Sequence, residues 1–179
     1  MFWDSCVFIR YLTRTPPQYL DDIENLITDA QARRRKIYFS TLALTEIRPR
    51  FLRQHGFGSI HEFFDDWRLA FIPVDPTPNV YIAAGELRDV DSTNPSDATA
   101  PRRMLGTPDS IHLATCLHAR DTLGITDIVF HTFDDGKGKN WEGRCAPLLS
   151  FERWYPPNTR TGLVEDVCSL PRRVPAYPK

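Results

Sequence analysis

An α/β fold, a three-layer sandwich with a central and mainly parallel sheet flanked by helices, is what this sequence predicts. Three observations carry it. Short apolar runs alternate with helical stretches along the chain, the order expected of a parallel-centred sheet. The stretch from Thr107 to Ala119 is apolar on nearly every side of a helix, so it belongs in the interior. Acidic residues recur where the apolar runs end, which is where open α/β sheets collect their functional groups.

Taken in order, Met1-Phe2-Trp3 is a very short first strand that ends at Asp4, with a helix beginning at Ser5 and running through Leu12. A strand so short suits a central position covered on both faces. Asp4 is either an ordinary helix cap or a group presented at the strand's carboxyl end. Pro16-Pro17 breaks the chain, and Tyr19 to Arg35 restarts it as an amphipathic helix, with Tyr19, Leu20, Ile23, Leu26, Ile27 and Ala30 inside and Asp21, Asp22, Glu24 and Asp29 outside. The run Arg33-Arg34-Arg35-Lys36 closes that helix, as a solvated end that complements the dipole or as a phosphate-contacting patch. Ile37-Tyr38-Phe39 is the second strand, and Ser40 or Thr41 caps the helix Leu42 to Ile47. On that helix Glu46 shares a face with Leu42 and Ala43, so it points toward packed structure and needs a partner or a cation, unless it lies at the edge beside Arg48 or Arg50.

Ser59 and Glu62 have capping-box spacing for a helix through Trp67. Leu69 to Val74 is a third strand, placed at an edge or at its end by Pro73, and Val80 to Val90 is helical. Asp91 to Arg103 is a polar loop whose end carries Arg102 and Arg103, the better phosphate-contacting candidates. Thr107 caps the buried helix, Pro108 suits its first turn, and Asp109 lies in that turn, where the dipole would keep it ionised. After Gly124, Asp127 to Thr132 is the clearest strand. It ends in Thr132-Phe133-Asp134-Asp135-Gly136, which is also ordinary turn chemistry. Pro147 to Phe151 is a candidate last edge strand.

Composition narrows the function. With 179 residues, 41% of them hydrophobic, the chain can bury one proper core. A formal net charge of -1 provides no global basic field, so a nucleic acid would have to meet a local patch. Cys6, Cys116, Cys145 and Cys168 have no zinc-like spacing with the histidines. No run is long enough to span a membrane and no signal peptide is visible, so the expectation is a reduced, cytoplasmic protein without membrane contact. His112, His131, Cys6 and Cys116 all sit beside core positions and are read as core, the histidines with satisfied hydrogen bonds.

If the strands are parallel, Asp4, Glu46, Asp109 and Asp134 can converge on one crevice. Two carboxylates about 4 Å apart repel by roughly 4 kcal/mol at an effective dielectric of about 20, so such a cluster shifts its pKa values or recruits a cation. Oxygen-only ligands favour a hard ion, Mg2+ or Mn2+, and disfavour zinc. Asp4-Ser5 after the first strand, Ser40-x5-Glu46 after the second, Thr107-Pro108-Asp109-Ser110-Ile111-His112-Leu113-Ala114-Thr115, and Thr132-Phe133-Asp134 together closely resemble the ordered motifs of PIN-domain ribonucleases. The nearest subgroup is the VapC-like toxins of bacterial type II toxin–antitoxin pairs.

That resemblance spans residues 1–152, leaving 153–179 as a Pro-rich extension packed on the surface. It implies a PIN-like fold in which Asp4, Glu46, Asp109 and Asp134 carry Mg2+ (or Mn2+) and catalysis, Ser5 and Thr132 orient carboxylates and water, and Asp135 substitutes for or supplements Asp134. The implied reaction is endonucleolytic hydrolysis of RNA that leaves a 3'-hydroxyl and a 5'-phosphate. The implied partners are an RNA substrate, a cognate antitoxin and a second copy of the chain in a homodimer. The first strand is shorter than in the family, and Ser5 stands where Thr is frequent. A non-catalytic PIN-like module that binds RNA or protein is the alternative. A phosphoaspartate receiver or haloacid-dehalogenase-like phosphatase is disfavoured, because no DxDx[TV] sequence follows the first strand.

Overall fold

A computed structural model describes residues 1–90, 92, 102–137, 145–160 and 162–178. Its sheet comprises β1 (Phe2–Trp3), β2 (Ile37–Ser40), β3 (Phe71–Val74), β4 (Phe130–His131) and β5 (Arg172–Arg173), ordered β3-β2-β1-β4-β5. Every pairing is parallel, so all the carboxyl ends lie on one side, with β1 at the centre. Helices α1 (Ser5–Thr13) and α2 (Leu20–Gln31) follow β1, and α3 (Ala43–Glu46), α4 (Pro49–Gln54) and α5 (Ile60–Asp66) follow β2. Helices α6 (Pro78–Asp89) and α7 (Thr107–Asp121) follow β3, and α8 (Gly162–Ser169) leads into β5.

Strand alternation divides the core in two. Phe2 and Phe130 face a cluster with Leu87, Leu113 and Leu117 of α6 and α7, while Trp3, Ile37, Phe39 and Phe71 face a second one with Val7, Phe8 and Ile23. Phe8 is the hub of the second cluster, its ring 5.0–6.5 Å from those of Trp3, Phe39, Phe63, Phe64 and Phe71. Emptying such a site costs about 3–5 kcal/mol, so α1 is held firmly from its first turn, next to Asp4. On the other face α7 is buried along most of its length, as its all-round apolar pattern predicts.

Several local expectations change. The strand expected over 127–132 contracts to Phe130–His131, because both its neighbours, β1 and β5, are two residues long and pair with it residue for residue. Thr107 is the first residue of α7, not its cap; Gly106 takes the cap position with extended backbone. Ser59 does accept the Glu62 N–H (3.1 Å), but the Glu62 carboxylate turns to the Gly58 N–H (2.6 Å). Pro147 to Phe151 is not a strand, since Leu148–Arg153 winds as a 3-10 turn.

The segment beyond residue 152 does more than wrap the surface. Tyr155, Val164, Val167 and Leu170 are buried in the α6–α7 core, and β5 extends the sheet beside β4. Arg172 anchors it by donating to the Leu148 and Leu170 carbonyls (2.9 and 3.0 Å) and pairing with Glu152. Asp29, expected on the outer face of α2, is buried and paired with Arg34 and Arg35, which draws part of the basic run into the fold. Of the 91–103 loop, only Ser92, Arg102 and Arg103 lie within the described residues. Among the described residues no helix is long and apolar enough to cross a membrane.

Candidate active site

Asp4 follows β1 directly, its N–H still in the sheet and donating to the His131 carbonyl at 3.0 Å. It occupies the cap position of α1, yet its carboxylate makes no capping bond. Instead Oδ2 accepts from the Thr132 hydroxyl (2.8 Å) and the Cys6 thiol (3.0 Å). Ser5 reaches Oδ1 only at 3.5 Å, the outer limit of a hydrogen bond. Cys6, expected in the core, is therefore a partner of Asp4. Burial and the Asp4 charge push its thiol well up, so it stays protonated and can donate.

Thr132 joins two acids. Its hydroxyl donates to Asp4 and accepts the Asp134 N–H at 3.0 Å. Asp134 also does the turn's work: Oδ1 accepts the Gly136 N–H (2.9 Å) and Oδ2 the Leu148 N–H (3.1 Å). Gly136 has φ +75°, a conformation open to glycine and strained for larger residues. Burial raises the Asp134 carboxyl, the two backbone donors oppose this, and Asp4 and Asp135 add to the rise. Asp135 itself is exposed and accepts from the Lys137 N–H at 3.0 Å, outside the crevice lining.

Glu46 finds its partner on α7. Its Oε2 lies 2.7 Å from His112 Nε2, and the same nitrogen is 3.7 Å from Asp4 Oδ1. Burial alone would depress the imidazole, but Glu46, Asp4 and Asp109 outweigh it and hold His112 above its ordinary value. His112 is thus a basic group set among the acids and not a passive core histidine. Asp109 and His112 are three residues apart, which puts them on one face of α7, and that spacing was the available signal. His131 differs: among the described residues neither ring nitrogen has a partner, contrary to the expected satisfied bonds. Burial and Arg173 lower it to about 3, so it is neutral.

Asp109 departs most from expectation. The helix dipole was expected to keep it ionised, but its carboxyl is raised to about 7, first by burial and then by Asp4 and Asp134, with Glu46 adding and His112 opposing. Like charges converging in low dielectric outweigh a dipole worth a fraction of a kcal/mol to about 2 kcal/mol. Its Oδ2 sits 2.6 Å from where a Cβ on Gly106 would be, so the bare glycine makes room for the carboxylate. Asp109, Glu46 and Asp134 line a cavity of about 480 Å³ together with Gly106, Pro108 and Cys145.

The four sequence-predicted carboxylates therefore act on one another, and Thr132 links two of them. Arg103 lies beside the Asp134 turn, its guanidinium 4.2 Å over the Trp154 ring and its Nη1 donating to the Cys145 carbonyl at 3.4 Å. Arg102 is exposed. Among the described residues no three His, Cys, Asp or Glu side chains stand as a ready set of metal ligands. The donor chemistry still fits a hard cation: carboxylate oxygens on Asp4, Glu46, Asp109 and Asp134, with Asp109 raised to about 7 by burial and its acidic neighbours.

No curated protein and no solved structure gives a significant match to the chain. The family model described as PIN domain matches residues 1–136, the span that carries β1 to β4 and all four acids. PIN domains are generally nucleases and typically use a divalent metal. By this match, and by its all-parallel sheet with acids gathered at the carboxyl ends of the strands, the chain belongs to the PIN-domain family.

Proposed function

We propose that the protein is a Mg2+-dependent endoribonuclease, with Mn2+ as a substitute ion, and that it acts in the cytoplasm as the toxin of a toxin–antitoxin pair. The observation that carries the reading is the electrostatic coupling of Asp109 to Asp4, Asp134 and Glu46, with Asp109, Glu46 and Asp134 lining one cavity. Uncompensated carboxylates are costly to keep together, and a fold that keeps four has a use for them.

Asp4, Glu46, Asp109 and Asp134 would hold the ion. A bound divalent cation supplies neutralisation of phosphodiester charge and activation of water. The chain's own residues prepare the place for it. Thr132 and Cys6 bind Asp4 Oδ2 and so fix the rotation of its carboxylate. His112 restrains Glu46 and offsets part of the negative charge that would otherwise repel a phosphate. The Asp134 main chain and carboxylate are pinned by Thr132, Gly136 and Leu148, which limits reorganisation on substrate binding. Arg102 and Arg103, at the start of the chain leading into α7, are suited to the flanking backbone phosphates. A cognate antitoxin and a homodimeric state belong to the same proposal.

The test is incubation of purified protein with total RNA in Mg2+, Mn2+ or EDTA, beside Asp109→Asn. Discrete products that need the ion and vanish in the variant are expected. A well-folded protein that leaves RNA intact in every buffer would sink the nuclease reading. That outcome would favour a non-catalytic module binding RNA or protein. Two observations lean that way: Glu46 is already engaged by His112, and both Asp134 oxygens accept backbone N–H groups. The toxin role is tested separately, by growth arrest on expression and its relief by the product of an adjoining gene.

A further inference from the structure

Around Phe133, the residue before Asp134, stands a group that the metal chemistry does not use. Tyr19 precedes α2 with φ +69°, a left-handed conformation that is a genuine outlier for a bulky residue. Its side chain is not hidden to compensate; the residue is 40% exposed. The ring lies 5.6 Å from that of half-buried Phe133, tilted by 47°. On Phe133 rests the Arg10 guanidinium, 3.6 Å from the ring centroid, with Nη1 donating to the Gln18 carbonyl at 3.4 Å. Among the described residues no carboxylate pairs with Arg10.

This stack is tied to the acids by short links. Phe133 lies in sequence between Thr132 and Asp134, and its N–H donates to Cys6 Sγ at 3.1 Å, the thiol that donates to Asp4. Arg10 follows Cys6 by one turn of α1. An exposed aromatic face, a second ring and a guanidinium, on the segment that also carries Thr132 and Asp134, are the components of a stacking platform for an unpaired base. A duplex cannot use it, because its bases are already stacked on one another.

We propose that Tyr19, Phe133 and Arg10 form a subsite for one unpaired nucleobase of an RNA strand, with Arg10 near the adjoining backbone phosphate. The inference rests on the nuclease reading for the strand's course past the acids. It makes the preferred substrate single-stranded and places an unpaired nucleotide beside the scissile bond.

The test uses the full chain in EDTA, so that binding is read without cleavage. A labelled single-stranded RNA oligonucleotide is titrated against wild type, Tyr19→Phe and Tyr19→Gly, alongside the same strand in a duplex and a version carrying abasic nucleotides. Glycine removes the ring and relieves the left-handed backbone, so loss of folding does not confuse the result, and the melting temperature should be no lower than wild type. Tyr19→Gly should weaken single-strand binding about ten-fold. Tyr19→Phe should retain it, duplex binding should be indifferent to both, and the abasic strand should erase the difference. Arg10→Gln should reduce the salt slope by about one ion, whereas Tyr19→Gly should leave that slope unchanged. Equal binding by wild type and Tyr19→Gly, equal losses on single strand and duplex, or no measurable single-strand binding by wild type would each overturn the subsite. Tyr19-dependent binding without cleavage in Mg2+ would keep the subsite and remove the nuclease. Cleavage with KM and kcat unchanged in Tyr19→Gly would do the reverse.

Discussion

Two carboxylates in this molecule, buried Asp29 and half-buried Asp109, have opposite surroundings. Asp29, on α2, receives Arg34 at 2.6 Å, Arg35 at 3.0 Å and the Tyr177 hydroxyl at 3.0 Å. Asp109, on α7, faces Asp4, Asp134 and Glu46, with only His112 to offset them. The hydrogen-bonding arginines, Arg34 first, hold the Asp29 carboxyl below its ordinary value, whereas burial and neighbouring acids lift Asp109 to about 7. In the first place arginines close the charge, and in the second three acids face the carboxylate with a single imidazole opposing them. On the proposed function, the contrast separates a carboxylate that stabilises from one that would be retained for function at a cost in stability.

The largest expected effect tests the open site. Asp109→Asn should reduce RNA cleavage by more than about 100-fold, since losing even an outer partner of a metal site costs up to about that factor. In the metal-free protein the same change should raise the melting temperature, because it removes a repelled charge. A variant that is both inactive and less stable would show that Asp109 serves the fold and not the chemistry alone. Thr132→Val comes next. It keeps the shape but removes the bridge between Asp4 and the Asp134 N–H, and cleavage should fall by about 10- to 100-fold. A Thr132→Val enzyme of full activity would mean that the carboxylates need no fixing.

A pH series sharpens the contrast further, with opposite signs at the two places. Asp109 has a folded pKa above its ordinary 3.8, so the fold binds that proton more tightly than the unfolded chain does. Its contribution is most favourable below about 4 and is lost as pH rises through about 7, by at most about 4 kcal/mol at 1.36 kcal/mol per unit. Denaturant melts in EDTA should therefore show wild type losing stability over that window and Asp109→Asn losing less. Asp29 has a lowered folded pKa, so its stabilisation is complete above about 3.8 and fades as pH falls through the folded value. The smallest effect is expected from Asp29→Asn at neutral pH. It should lower the melting temperature modestly, because Arg34 and Arg35 are partly solvated, and leave cleavage per folded molecule unchanged. A marked loss of activity in Asp29→Asn would erase the distinction.

The acids of the crevice were legible because each follows a strand or opens a helix, positions set by local sequence: Asp4 after Trp3, Asp134 after Thr132, Asp109 behind Pro108. Their partners were not. Glu46 and His112 are 66 residues apart, and their contact exists only once α3 and α7 meet beside the sheet. Asp29 was placed outside by helical periodicity, and its burial comes in part from Tyr177, 148 residues later. The tail read as a surface extension for a related reason: β5 is two residues long, too short to register as a pattern. What local rules cannot see here is charge compensation across long separations, and that property distinguishes the two carboxylates.

Gly106 gives this a last consequence. A methyl group there would meet Asp109 Oδ2 at 2.6 Å, and what it meets is the mobile end of a side chain and no backbone atom. The chain could therefore accept alanine by swinging the carboxylate aside, with sheet, helices and all four acids retained. On the proposed function, activity would thus depend on an inventory of functional groups and also on one unfilled space the size of a methyl, which no count of acidic residues would register.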